Sequence, residues 1–187
     1  NRLSNKEASW AHVLLALRDP STSPRELEYL KHKPFALVYE EVLLSVPSDN
    51  KQKDELEMKK RIGQLVDKLE PNECHRRIMQ AGVRHLMTTN YDYSFEKASN
   101  QRVERKSLMR ESKYSVYRRS AVGSTYIWHI HGESGTANSI TLGYDQYSGY
   151  LQKLRGHATA DRESTAGSPF KQGNLDFDTV NGTVYSW

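Results

Sequence analysis

The chain has 187 residues, with 27 lysines and arginines against 23 aspartates and glutamates, and a net charge of +4. Apolar residues make up 36%, below the roughly 45–50% of a typical globular chain, so we expect a modest core. This length fits one domain, and so weak a positive charge does not by itself indicate a nucleic-acid partner. Without a run of about 18 apolar residues, the sequence predicts no membrane span and no membrane partner.

Cysteine usage and the chain ends suggest the setting of the protein. Cys74 is the single cysteine, which excludes an internal disulfide and a zinc site of four cysteines within the chain. Together with a start that lacks an apolar signal segment, this predicts a cytoplasmic protein. The chain opens at residues 1–4 without a strand or helix-cap signal before them, and it stops within a β-prone run at residues 183–187. Since a domain rarely leaves such a run at a free end, we expect a domain truncated at both ends.

Hydrophobic spacing predicts helices in the first part of the chain. Pro20, Pro34 and Pro71 and the glycine at position 82 mark boundaries between them. We expect residues 23–80 to form a helical insertion or cap. The predicted helices are residues 8–18, a helix that starts at Ser23, residues 35–46 and 51–69, and a short helix from Pro71 to Gly82.

The pattern then changes to short β-prone runs that alternate with helical pieces. Strands are predicted at residues 83–89, 125–130 and 139–142, and a helix at 144–154. This alternation predicts the α/β class, with residues 83–155 as the central part. Residues 156–182 are rich in Gly, Ser, Thr and Asp, which predicts a loop-rich segment.

The segment Thr88-Thr89-Asn90-Tyr91-Asp92 follows a predicted strand and precedes a helix. Such a position lies at the carboxyl end of a sheet, where open α/β folds bind ligands. The amide of Asn90 can donate and accept, so it suits a sugar hydroxyl or a water. The alternative is that Asn90 or Asp92 only caps the next helix, and the residues alone favour that interpretation.

A second candidate is Trp128-His129-Ile130-His131-Gly132-Glu133. His131 ends a predicted strand beside a glycine that lets a ligand approach closely, a position suited to acid–base chemistry. His129 and His131 share a strand face and could also bind metal or be packed core histidines. The third segment, Leu142 to Tyr147, is predicted to be structural.

These pieces together resemble the sirtuin-like domains of bacterial defence proteins. The resemblance rests on Ser4 and Trp10 at a phosphate-turn remnant, then TTNYD, HIHGE and ITLGYDQY in that order, with Asn90 and His131 41 positions apart. It implies a partial sirtuin-like NAD-binding domain over residues 1–187, with a Rossmann-like parallel sheet. Arg2 stands where the family usually has a second glycine of its cofactor turn.

The resemblance also implies roles for single residues. Asn90 and His131 would be catalytic, Asn90 by orienting the nicotinamide ribose and a water, and His131 as the acid–base residue. Ser4, Asp92 and Gly132 would join them in binding NAD, which is the substrate, with no metal. The implied activity is NAD+ glycohydrolase, which depletes NAD in anti-phage defence. Homo-oligomers and a phage protein trigger or a partner defence subunit are implied as partners, and zinc-dependent deacetylation is not expected.

A different function is suggested by residues 101–120, a basic arm with interleaved tyrosines. Such an arm could contact nucleic acid through phosphates and stacking, within a non-catalytic or oligomerising sirtuin-like scaffold. The simpler interpretation is a solvated hairpin between two core strands, and it is the one we favour.

Overall fold

The computed structural model describes residues 13, 28–29, 32–45, 49–107 and 118–158. None of the helices within these ranges is both long and apolar enough to cross a membrane. The helices are α1 (Phe35–Ser45), α2 (Lys51–Asp67), α3 (Glu73–Gln80), α4 (Ser94–Lys97) and α5 (Tyr144–Ala158), and the strands are β1 (His85–Thr88), β2 (Val103–Ser107), β3 (Arg118–Val122) and β4 (Thr125–His129).

The helices predicted at 35–46, 51–69 and 71–82 are confirmed as α1, α2 and α3. The side chain of Asn50 accepts a hydrogen bond from the Lys53 amide at the start of α2. Asn72 and His75 exchange capping hydrogen bonds at the start of α3. Such bonds satisfy amides that the first helical turn leaves without partners. The helices predicted at 8–18 and from Ser23 lie outside the described residues, except for positions 13 and 28–29.

The strands form one sheet in the order β1-β4-β3-β2. β1 pairs with β4 in parallel, whereas β4, β3 and β2 pair in antiparallel fashion. The α/β class is confirmed, and the expected parallel pairing holds for β1 with β4. The sheet as a whole is mixed because β3 runs antiparallel to both of its neighbours, β2 and β4.

The strand predicted at residues 139–142 is wrong. Residues 137–139 form a 3-10 turn instead, and Ser139 Oγ bonds the Thr136 carbonyl (2.6 Å) and the Glu133 amide (3.0 Å). A serine side chain that bonds nearby backbone in this way competes with strand formation. The helix predicted at 144–154 is confirmed as α5, which extends through Ala158. Residues 156–158, expected to be loop, are therefore helical, and the rest of 156–182 lies outside the described residues.

The hydrophobic core lies between α1, α2 and the segments that follow β1 and β4. Ile62 and Leu142 have no exposed surface, and Tyr39 and Ile140 have almost none. Burial of such apolar area is the main favourable term in folding, so these contacts hold the two loops against the helices. The cluster comprises Val13, Val38, Tyr39, Val42, Met58, Ile62, Val66, Tyr91, Ile140 and Leu142.

Beside this core, a buried polar network joins α5 to α2. Gln146 Oε1 accepts from the Leu142 amide (2.8 Å), and Gln146 Nε2 donates to Glu55 Oε1 (2.8 Å). Glu55 also pairs with the buried Lys59 ammonium at 2.8 Å. Buried polar groups cost free energy unless they are bonded, so the network fixes the start of α5 relative to α2.

Gly63 of α2 lies against the loop that follows β4. A Cβ atom at this position would lie 2.7 Å from the carbonyl oxygen of Ser134. Real Cβ atoms essentially never approach a backbone atom so closely, and a backbone carbonyl cannot move aside as a flexible side chain can. Close approach of α2 to this loop therefore requires glycine.

We expect Gly63→Ala to destabilise the protein. Alanine is favoured over glycine in a helix by about 1 kcal/mol, but overpacking against a fixed backbone costs roughly 1–3 kcal/mol. The matched control is Gln64→Ala at the exposed neighbouring position, with an expected change within about 0.5 kcal/mol. Urea unfolding measures both, and a Gly63→Ala variant at least as stable as the parent protein would show that the helix and loop are not packed this closely.

Candidate functional site

The pairing of β1 with β4 positions the candidate site. Thr88 is paired with His129 in a parallel ladder, and Ile130 N donates to Thr88 O at 3.1 Å. The two paired residues are 41 positions apart, the same separation as Asn90 and His131. Two residues beyond the paired ends, Asn90 and His131 therefore follow neighbouring parallel strands at one edge of the sheet. This is the carboxyl edge, where open α/β sheets bind ligands.

The backbone of Asn90 is bonded on both sides, whereas its side chain is not. Its amide donates to Thr88 Oγ1 (3.1 Å), and its carbonyl oxygen lies 2.9 Å from His129 Nδ1. Within the described part of the chain, the side-chain amide of Asn90 has no hydrogen-bond partner. A half-buried amide with free donors and an acceptor can bind a polar ligand.

His131 is half-buried, and its ring lies nearly perpendicular to that of Tyr147, with ring centroids 5.1 Å apart. Its carbonyl oxygen accepts from the Thr141 amide (2.9 Å), and its ring nitrogens have no partner among the described residues. Burial lowers the pKa of the His131 imidazole. The ring is therefore neutral at pH 7, the form that accepts a proton. Tyr147, which the sequence analysis placed in a structural segment, is part of the surroundings of His131.

Asp92 is 5% exposed, and its Oδ1 atom accepts a hydrogen bond from the Ser94 amide at 3.0 Å. This is an Asx turn at the start of α4. Asp92 was expected either to cap the next helix or to bind NAD, and its burial and this hydrogen bond favour the capping role.

Gly132 has a φ angle of +100°, a backbone conformation that side chains disfavour. A Cβ atom here would lie 2.2 Å from the Ser139 carbonyl oxygen. The chain itself thus approaches Gly132 closely, where the sequence analysis expected the approach of a ligand. The glycine lets the 3-10 turn pack against the end of β4.

His129, which the sequence analysis left between a metal ligand and a core residue, is 3% exposed. Its Nε2 atom lies 2.9 Å from Glu96 Oε1, and its Nδ1 atom lies 2.9 Å from the Asn90 carbonyl oxygen. Burial lowers the pKa of His129, but the hydrogen bond and charge of Glu96 outweigh it, so the pKa is raised. Glu96 has no local signal in the sequence, since it lies 33 positions before His129 in a short helix. Among the described residues, no group of three or more His, Cys, Asp or Glu could hold a metal ion.

The predicted phosphate turn lies outside the described residues, and the predicted basic arm lies partly outside them. Ser4 and Arg2 lie outside the described residues, so the phosphate turn stays a prediction. The basic arm contains the hairpin of β2 and β3, and residues 108–117 between them are also outside. The Arg119 guanidinium lies 4.3 Å from the ring centre of Tyr126, and that of Arg105 lies 4.0 Å from the ring centre of Tyr93. These two arginines of the arm thus stack on aromatic rings of the chain itself.

The comparison with protein families matches residues 84–169 to the SIR2-like domain. The matched range runs from just before β1 through α5 and contains Asn90, Asp92, His131 and Gly132. It is narrower than the resemblance seen in the sequence, since Ser4 and the helices before residue 84 lie outside it. No curated protein and no solved structure matches the chain. The resemblance to sirtuin-like domains is nonetheless confirmed for this part of the chain, since residues 84–169 match the SIR2-like domain model.

Proposed function

We propose that the protein is an NAD+ glycohydrolase, which cleaves the bond between nicotinamide and ribose with water. One observation supports this above the others. Within the residues that match the SIR2-like domain, Asn90 and His131 follow neighbouring parallel strands at the carboxyl edge, and their side chains have no hydrogen-bond partner within the described residues. Residues that end adjacent strands with unused polar groups are suited to bind and transform a ligand.

The chemistry requires little acid catalysis. The bond from ribose C1′ to the pyridinium nitrogen breaks, its electron pair stays on the nitrogen, and neutral nicotinamide leaves. An oxygen of water bonds to C1′, and the water loses a proton. Because the leaving group is already cationic, the paired carboxylates of ordinary glycosidases are not needed. The protein has to hold the ribose, limit access of bulk water and accept one proton.

Each of these tasks fits a group at the sheet edge. The Asn90 amide can hold a ribose hydroxyl and the attacking water. The neutral imidazole of His131, with its pKa lowered by burial, can accept the proton near pH 7. Asp92 and Gly132 shape the two turns that carry these residues. Ser4 would contribute to binding the phosphates of NAD, as the resemblance implies.

The biological role that we propose follows from the resemblance alone. Sirtuin-like domains of defence proteins suggest a cytoplasmic homo-oligomer that depletes NAD when a phage protein or a partner defence subunit triggers it. The single cysteine of the chain does not provide a four-cysteine zinc module, so hydrolysis is favoured over lysine deacylation.

We expect Asn90→Ala and His131→Ala each to lower NAD consumption by the purified protein by on the order of 10²-fold or more, as for loss of a positioned acid–base group. Release of nicotinamide, measured by chromatography, reports the rate. Matched controls are Asn100→Ala and His32→Ala at exposed positions, which should keep the parent rate.

The outcome is decisive in either direction. Unchanged nicotinamide release in both site variants would refute the assignment of the site. A parent protein that releases no nicotinamide under any condition in which it binds NAD would refute the activity.

The lowered pKa of His131 also predicts a pH profile. A base must be unprotonated, so kcat/KM should be flat near pH 7 and fall only below about 6.5, the ordinary histidine value. The control is His85→Gln, because burial also lowers the pKa of His85 and this variant should keep the acidic limb. A fall in kcat/KM that begins above pH 7 would contradict a neutral, half-buried base.

A further inference from the structure

The contact between His129 and Glu96 is not used by the proposed chemistry. Both side chains are almost completely buried, with 1% and 3% of their surface exposed. The His129 ring joins two acceptors, with 2.9 Å from Nε2 to Glu96 Oε1 and 2.9 Å from Nδ1 to the Asn90 carbonyl oxygen. A carbonyl oxygen only accepts, so Nδ1 is the ring nitrogen that donates to Asn90. The His129 ring therefore bridges α4 and the turn after β1.

Two carboxylates raise the pKa of the His129 ring. Glu96 approaches from α4, and the charge of Glu133, from the segment after β4, also favours the protonated ring. The rings of Tyr93 and His129 are nearly perpendicular, with centroids 5.6 Å apart. Glu96 Oε2 is buried with no hydrogen-bond partner among the described residues. Among the described residues, His129 is therefore the hydrogen-bond partner of the buried Glu96 carboxyl group.

The Asn90 carbonyl lies beyond the last hydrogen bond of the sheet. The last bond of the ladder between β1 and β4 is that of Ile130 N to Thr88 O. Beyond it, the backbone of Asn90 is held by the Thr88 hydroxyl and by His129. The next carbonyl, of Tyr91, accepts from the Ser134 amide at 2.8 Å. Both carbonyls of this turn are thus bonded by residues of β4 or of the segment after it.

We propose that His129, held in place by Glu96, is a positioning residue that fixes the backbone of Asn90 and so aims its side-chain amide at the substrate. The effect on turnover rests on the proposed function, whereas the effect on the turn does not. His129 is the last residue of β4 and precedes His131 by two residues. Its side chain therefore links the strand that leads to His131 with the turn that carries Asn90. A displacement of about 1 Å in such a group can lower a rate by up to 10²-fold.

Two substitutions separate the two bonds of His129. The amide nitrogen of Asn in His129→Asn stands close to the position of Nδ1, so it can donate to the Asn90 carbonyl but not reach Glu96. The amide nitrogen of Gln in His129→Gln stands close to Nε2, so it can donate to Glu96 but not to that carbonyl. Both variants lose one bond and the ring, so a purely structural role predicts similar behaviour. A positioning role predicts that His129→Gln loses more turnover than His129→Asn, because only His129→Asn keeps the hydrogen bond to the Asn90 carbonyl.

A second pair changes the other partner. Glu96→Gln keeps an acceptor and a donor for Nε2, so a neutral His129 can still donate to the Asn90 carbonyl. Glu96→Ala removes the hydrogen-bond partner of His129 Nε2. The conservative variant should therefore rescue turnover relative to Glu96→Ala. Lys60→Met, which removes an exposed ion pair with Glu57, serves as a surface control.

The measurements are kcat and KM for NAD, and hydrogen exchange of the peptide segment that spans residues 89–94. We expect kcat of His129→Gln to fall on the order of tenfold or more below that of His129→Asn, with KM changed less than kcat. Exchange of the segment should be faster in His129→Gln and Glu96→Ala than in the other variants. If a His129 variant does not fold, the Glu96 pair decides alone.

The results also separate this inference from the proposed function. Equal kcat and equal exchange within each pair would overturn the positioning role, even if the parent protein cleaves NAD. A parent protein that does not cleave NAD would refute the proposed function. The exchange of residues 89–94 would then still confirm or overturn control of this turn by His129.

Discussion

The parallel pairing of β1 with β4 is the constraint on which the candidate site depends. The two strands are separated in the chain by α4 and the hairpin, so their register is a long-range property. A shift of that register by one residue would move each side chain to the opposite face. With Thr88 opposite His129, the turns after the strands meet at one edge, and the residues that end them can act on the same ligand.

Beyond the ends of β1 and β4, the chain is held by packing against the rest of the molecule and no longer by sheet hydrogen bonds. Tyr91 is buried, its hydroxyl donates to the Thr141 carbonyl, and its own carbonyl accepts from Ser134. Gly63 and Gly132 each face a backbone carbonyl at a distance that leaves no room for a side chain. Residues on rigid, well-packed turns keep their geometry more accurately than residues on exposed loops. The edge of the sheet is therefore suited to hold polar groups in fixed positions.

Much of the fold could be predicted from local patterns. The periodicity and caps of α2 and α3 are visible in the sequence because helix contacts span only three or four residues. The strand predicted at 139–142 failed because a buried apolar run looks the same whether it pairs in a sheet or packs beside one. The sequence likewise showed that Asn90 and His131 follow strands. It could not show that Glu96 binds His129, since that contact depends on how α4 folds back against β4.

The pKa values of His129, in β4, and of His131, just after β4, are shifted in opposite directions for a physical reason. His131 is half-buried without a carboxylate partner, so burial lowers its pKa. His129 lies deeper, but Glu96 raises its pKa above the ordinary value. By linkage, His129 contributes stability that is fully present below its unfolded pKa and is lost as the pH rises through its folded pKa. His131 has the opposite effect because its pKa is lowered in the folded protein. Its contribution to stability is present above its unfolded pKa and is lost as the pH falls through its folded pKa. Environments that separate the pKa values of two like groups in this way suit the two groups to different tasks.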